Sequence, residues 1–218
     1  MKNLVLITSV INTPCNPLSY SLTRSVFTRK ERFEQTKKTI NSIKEKIPDY
    51  KILIVECTNF NEEEENFFNK ECNYLVNLWN NVELHNDIFG ISKTMGTKIQ
   101  MSKGLEYIIN NNITFDNLIT IAGRYYLNEN FNYEYFNNDK LIFKRDKFGT
   151  PTTTLCKIPH NIINNLLNHL YSHNDNKNGN IGYEILIKNF INNYENIIFL
   201  NTIGISGFVS TNGENFNF

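Results

Sequence analysis

The chain lacks any bias of charge: 22 basic residues balance 22 acidic ones among 218. Nucleic-acid and anionic-membrane binders usually carry a visible basic excess, so neither partner is expected. Long apolar runs are also missing. No stretch approaches the ~20 residues that a membrane span needs, so no integral membrane segment is expected. The start, MKNLVLITSVI, imitates a secretory leader. Its apolar run is short, includes Thr8 and Ser9, and leads to no small-residue cleavage site, which favours a first buried strand. Cysteine is scarce. Cys15, Cys57, Cys72 and Cys156 form no C-x-x-C pair and no disulfide-like spacing, so reduced thiols in a cytoplasmic compartment are the expectation. Asparagine is the commonest residue, a bias attributed to an AT-rich genome rather than to structure. Hydrophobic content of 40% and charge of 20% exclude disorder. With no repeat and no long linker, residues 1–218 read as one α/β domain.

Several catalytic signatures are absent. GISKTMGTK (90–98) resembles a phosphate-binding P-loop, but one residue too many separates its glycines and a threonine precedes the lysine. No G-x-G-x-x-G occurs, which removes most support for a dinucleotide fold. G-x-S-x-G is missing too, and GISGF misplaces its serine for a nucleophile elbow. His169 and His173 stand four apart with no acid between them, so they read as surface residues in a helix's last turn rather than metal ligands. The acidic run Glu62–Glu65 reads as the first turn of a helix capped by Asn61. The aspartates, at 49, 87, 116, 139, 146 and 175, are never two apart, so no Asp-x-Asp exists.

What is present alternates strand and helix. LVLITSVI (4–11) is a continuous β-branched run, as in a strand covered on both faces. After a loop with Pro14 and Pro17 comes SVFTRKERFEQTKKTINSIKEKIP, with Thr28 and Glu31 in the capping-box relation. Phe33, Thr36, Ile40, Ile43 and Ile47 share one face of that helix, and Pro48 ends it. KILIVEC (51–57) is again a buried strand, so a right-handed parallel crossover is expected. YLVNLW (74–79) fits a strand or a short helix. A helix over about 93–110 should turn Met95, Ile99, Leu105 and Ile109 inward, followed by a strand at 117–122. Strands are expected at 141–145, 152–158 and 197–203, and helices at about 160–172 and 182–194 around a loop, NDNKNGN.

The arginines break a local rule. Lysine outnumbers arginine 17 to 5, yet Arg24, Arg29 and Arg32 cluster around the first helix's start. Cations there oppose the helix dipole by about 0.3–1 kcal/mol each. A broken rule without visible compensation marks a candidate site, the bland alternative being solvated side chains on an exposed turn. A fourth arginine, Arg124, follows the strand in TIAGRYYL. A guanidinium fork grips phosphate bidentately, as lysine cannot. In an open parallel sheet, ligands bind beyond the strands' carboxyl ends, where Thr8, Ser9, Glu56 and Arg124 fall. Hydroxyls and a carboxylate suit a base and ribose, and arginines suit a diphosphate.

The succession of SVFTRKERFEQTKKTINSIKEKIP, ILIVECT, SKTMGTK, GRYYL and IGISGFVSTNGE resembles the small GT-A-type nucleotide-sugar transferases. The resemblance is to members from bacterial polysaccharide clusters and large DNA viruses. It implies a Rossmann-like fold around a central, mostly parallel sheet, with the donor nucleotide over the first strands and the acceptor toward the C-terminal half. It implies a UDP-, GDP- or dTDP-sugar donor and a glycan or protein hydroxyl acceptor. On that mapping Thr8, Ser9 and Glu56 meet base and ribose, while Arg24, Arg32 and Lys93 approach the donor. Such enzymes usually hold Mn²⁺ or Mg²⁺ with Asp-x-Asp, where this chain has Gly123-Arg124-Tyr125. The substitution suggests that Arg124 neutralises the diphosphate and that Tyr125 packs on sugar or base. A divalent metal remains open but has no such motif behind it. Glu184 is the candidate general base for an inverting transfer, with His160 a weaker substitute. The alternatives are an inactive nucleotide- or glycan-binding protein of the same fold, or another nucleotide-dependent transferase.

Overall fold

The computed structural model describes residues 1–173 and 181–218; the NDNKNGN loop expected above lies outside them. In chain order the elements begin β1 (Asn3–Ser9), α1 (Arg29–Lys46), β2 (Tyr50–Glu56), α2 (Glu62–Glu71) and β3 (Tyr74–Asn77). Then come α3 (Val82–Ile88), α4 (Lys93–Asn110), β4 (Asn117–Ala122), β5 (Tyr125–Leu127), β6 (Leu141–Arg145) and β7 (Pro151–Pro159). The chain finishes with α5 (Ile163–Ser172), α6 (Tyr183–Ile191), β8 (Ile197–Leu200), β9 (Ile205–Phe208) and β10 (Asn215–Asn217).

Seven strands form one sheet in the order β3-β2-β1-β4-β7-β6-β8. The pairs β1–β2, β1–β4, β2–β3 and β6–β8 are parallel, and β7 runs antiparallel to β4 and β6. Alternation along β1 explains why it reads as unbroken apolar sequence. Leu4 and Leu6 enter one core with Ile99, Leu105 and Leu186, while Val5 and Ile7 enter the other with Ile40, Ile43 and Phe68. Both faces of the sheet are therefore covered.

The α1 capping box forms, with the Thr28 side chain accepting from the Glu31 amide and Glu31 reaching back to Thr28 N. Its inner face is apolar at Phe33, Ile40 and Ile43 and hydroxylic between them. Thr36 Oγ1 donates to Gly123 O at 2.8 Å, Thr39 Oγ1 donates to Tyr125 O at 2.6 Å, and Ser42 Oγ accepts from Leu127 N at 3.0 Å. These three rungs suspend β5 from the helix. β5 belongs to a separate three-stranded antiparallel sheet, β10-β9-β5.

Several expected boundaries move. The strand expected at 197–203 ends at Leu200, because Gly204 (φ 78°) turns the chain into the small sheet. The segment 74–79 resolves as strand β3. The first residues of the 160–172 helix form a 3₁₀ turn, His160–Ile162, and the 182–194 helix stops at Ile191. On α4, Ile108 is the fully buried residue and Ile109 only packs partly against the core. Among the described residues no helix is long and apolar enough to cross a membrane.

Candidate functional site

A cavity of about 370 Å³ opens at the carboxyl ends of β1 and β4. Thr8 and Ser9 close β1, Gly123 and Arg124 follow β4, and Arg24 and Arg32 come from the loop and helix after β1. Lys93 arrives from the start of α4, and Thr153, Thr154 and Glu184 from β7 and the first turn of α6. Because β7 is antiparallel, with Leu155 opposite Ile121, its early residues lie beside the end of β4.

Gly123 and Arg124 are the two-residue joint between the large sheet and the small one. The joint runs very close to β1: a Cβ on Gly123 would fall 2.8 Å from Ser9 Cβ and 3.3 Å from Thr36 Oγ1. Gly123 N donates to Thr8 O at 2.9 Å, and its carbonyl takes the first α1 rung. Backbone packing thus fixes where Arg124 leaves the chain. Its guanidinium lies 4.8 Å over the Tyr125 ring. No ion pair holds Arg124 among the described residues, and its buried Nε has no hydrogen-bond partner. Such an orphan donor is uncommon in a folded chain.

The other arginines are fastened. Arg32, 8% exposed, donates Nε to Val10 O at 2.6 Å and Nη1 to Ser210 Oγ at 3.1 Å. Burial first, and the Arg124 charge second, bring its pKa down to about 10. Arg24 spans Asn16 O, Phe89 O at 3.0 Å, and Gly90 O, and burial lowers its pKa. Arg29 lies outside the cavity, paired with Glu64. Lys93 lines the cavity but is itself exposed to solvent, so the desolvation part of its pKa shift is the weaker part. Repulsion from Arg124, then desolvation, hold its pKa down to about 8, with Glu184 opposing them. α4 adds the positive end of an 18-residue helix with no acid in its first turn. Four cations therefore line one cavity in which, among the described residues, Glu184 is the single carboxylate.

Other expected residues fall in different places. Glu56 is fully buried and outside the cavity lining. Its Oε1 accepts from Ile11 N, Cys57 N and Thr58 Oγ1, so it braces the loop after β1, and burial raises its pKa. Ser9, 6% exposed, shares a 3.2 Å contact with Thr36 Oγ1 and accepts Gln100 Nε2 through its carbonyl. Tyr125 is 3% exposed and packs 5.1 Å from Phe216, which makes it the shelf beneath Arg124. Glu184 is exposed and accepts from Thr153 Oγ1 at 3.1 Å. His160 packs against Phe115, away from the cavity. His169 and His173 bond to backbone carbonyls, Leu186 O and His169 O. Sequence reasoning missed Tyr20, Gln100, Thr153 and Thr154, all cavity residues. The only advance signal was the aromatic in the polar loop segment PLSYSLTR.

Among the described residues the lining does not fit a divalent ion. The position after β4 offers a guanidinium, and among the described residues no three His, Cys, Asp or Glu side chains converge as a metal cluster. Cationic ends repel a metal and attract its usual ligand, the diphosphate.

No protein-family profile matches the chain, and no curated protein matches it in sequence. Solved structures do match in shape. One is the apo form of the glycosyltransferase GlyE of Streptococcus pneumoniae TIGR4, with TM-score 0.50 and 11% identity over 91% of this chain. The chain spans 45% of that protein's length. Another, from Desulfovibrio desulfuricans G20, is assigned by inference as a nucleotide-diphospho-sugar transferase. It gives TM-score 0.50 and 8% identity over 92% of this chain and 80% of its own. The fold is thus GT-A-like, that of the nucleotide-diphospho-sugar transferases.

Proposed function

We propose that this chain binds a nucleotide-diphosphate sugar and transfers the sugar to a hydroxyl of a glycan or protein, with fixed cations doing the work of a divalent ion. One observation carries the reading: Arg124, with an orphan Nε, meets Arg24, Arg32 and Lys93 in one cavity at the sheet's carboxyl edge. The diphosphate sits among these groups and the α4 N-terminus. Thr8 and Ser9 lie on the nucleoside side. In transfer with inversion, the acceptor oxygen bonds to the anomeric carbon as the bond to phosphate breaks. That electron pair leaves with the nucleoside diphosphate, whose charge the cations stabilise. The acceptor's proton passes to the Glu184 carboxylate.

Thermal melting with UDP-, GDP- and dTDP-sugars, with Mn²⁺ or with EDTA, tests this. A ligand at 100 times its Kd should stabilise the fold by about 2.7 kcal/mol. The expected result is stabilisation that survives EDTA and disappears in Arg124→Ala, together with nucleotide release when an acceptor is supplied. A strict Mn²⁺ requirement overturns the cation-for-metal assignment. Stabilisation without transfer to any acceptor supports the binding-protein alternative, and full transfer by Glu184→Gln removes that residue as base.

A further inference from the structure

We propose that Tyr20 is the stacking platform of an acceptor subsite for a pyranose sugar, and that Thr153, Thr154 and Glu184 form its facing polar wall. This rests on the nucleotide-sugar reading above and names a part of the same site.

Tyr20 occupies the tip of a two-residue turn closed by Leu18 and Ser21, with Leu18 N donating to Ser21 O at 2.7 Å. The turn is clamped to the segment before α4. Ser19 N donates to Ile91 O at 2.9 Å, Asn16 Nδ2 to Phe89 O at 3.2 Å, and Arg24 to Phe89 O and Gly90 O. Leu18 is buried as the turn's anchor, which leaves Tyr20 at the cavity's edge, 63% exposed. Among the described residues its ring pairs with no other aromatic, and its hydroxyl makes no hydrogen bond. A large apolar ring held on a fixed turn without a packing partner is prepared for a ligand at little entropic loss.

Its neighbours define the occupant. Tyr20, Arg124 and Glu184 line the same cavity, and the phenol feels the charges of both partners. Thr153 Oγ1 donates to Glu184, and the buried Thr154 Oγ1 on the same strand has no partner. An apolar plate facing hydroxyls and a carboxylate matches a pyranose, which has a C–H face and a rim of hydroxyls. Phosphates belong at the cations, so this mouth-side sugar is the acceptor. The subsite therefore joins the loop after β1 to the C-terminal half of the fold.

The experiment measures two affinities on wild type, Tyr20→Ala and Tyr20→Phe. UDP, GDP and dTDP are titrated first. Methyl β-D-galactopyranoside, methyl β-D-glucopyranoside and methyl α-D-mannopyranoside are then followed by ligand-observed NMR on nucleotide-saturated protein. At least one glycoside should bind wild type, weaken about tenfold in Tyr20→Ala, and stay within about twofold in Tyr20→Phe. Nucleotide affinity should remain within about twofold in both variants. The inference is overturned if no glycoside binds wild type, or if Tyr20→Ala binds it equally well. It is also overturned if Tyr20→Ala loses nucleotide affinity instead, which makes the ring a base platform. Should no nucleotide bind wild type, the nucleotide-sugar reading fails separately. The glycoside titrations on unliganded protein then still decide the role of Tyr20.

Discussion

Arg29 opens the helix that follows β1 and Arg124 follows β4, both toward the carboxyl edge of the sheet, and they are treated in opposite ways. Arg29 donates Nε to Glu64 Oε1 at 2.6 Å and a second nitrogen to the Asn59 carbonyl at 2.7 Å. Glu64 is also the α2 capping-box acid, bonded to Asn61. Every part of that arrangement has a partner inside the chain. Arg124 has an aromatic shelf below it, two more arginines and a lysine around it, and a buried nitrogen bonded to nothing. A fold that satisfies one guanidinium so fully has the means to satisfy the other. Leaving it unmatched costs stability, and on the function proposed above a bound diphosphate would offset that loss.

The comparison breaks most sharply at Arg124. Arg124→Ala should weaken binding of the nucleoside diphosphate that the wild type takes by about 1.5–3 kcal/mol, the range of hydrogen bonds to charged groups. Its melting temperature should not fall, because a repelling charge has been removed from Lys93 and Arg32. A lowered melting temperature with unchanged affinity for that nucleotide would make Arg124 as structural as Arg29. Gly123→Ala comes next. Its Cβ would press on Ser9, and overpacking of that kind destabilises by about 1–3 kcal/mol, read by urea unfolding. On the other side of the comparison, Glu64→Ala removes a cap and an ion pair together. A loss of about 1–2 kcal/mol is expected, mostly from the cap because Arg29 is partly exposed, with nucleotide affinity unaltered.

The smallest effect is one of pH. The neighbouring Arg124 charge holds the Lys93 pKa down to about 8 in the free fold, against its ordinary 10.5 when unfolded. Between those values the unfolded chain holds more protons, so this group's contribution makes stability rise with pH across that window. A bound diphosphate acts in the opposite sense on the titration, favouring the ammonium and lifting its pKa. Binding of the same nucleotide above about pH 8 should therefore take up a proton, and affinity should fall as pH climbs. Calorimetry in two buffers of different ionisation enthalpy measures the uptake, and Lys93→Met should abolish it.

The large sheet was legible because its strands are buried on both faces and bounded by capped helices. β1, β2, β4, α1 and α4 follow from local pattern alone. The small sheet was not legible. β5 and β10 have three residues each and β9 four, too short for periodicity to register, and they are assembled from segments far apart in sequence. Within the cavity, the arginines could be picked out because they clustered against a helix rule or ended a strand, whereas Lys93 came only from the family resemblance. Glu56 sat at the right strand end but points inward, and that orientation depends on the path of the loop at Ile11. Thr153 and Thr154 look like ordinary β-formers in TTTLCKI. Only the antiparallel direction of β7 brings them to the site.

The three hydroxyl rungs on α1 have a mechanical result. The same rigid rod bears Arg32 near one end and, about one and two turns along, holds Gly123 and Tyr125 on either side of Arg124. Any tilt of the rod carries the backbone of both arginines with it, so the spacing of their points of departure is set like the jaws of a locked caliper.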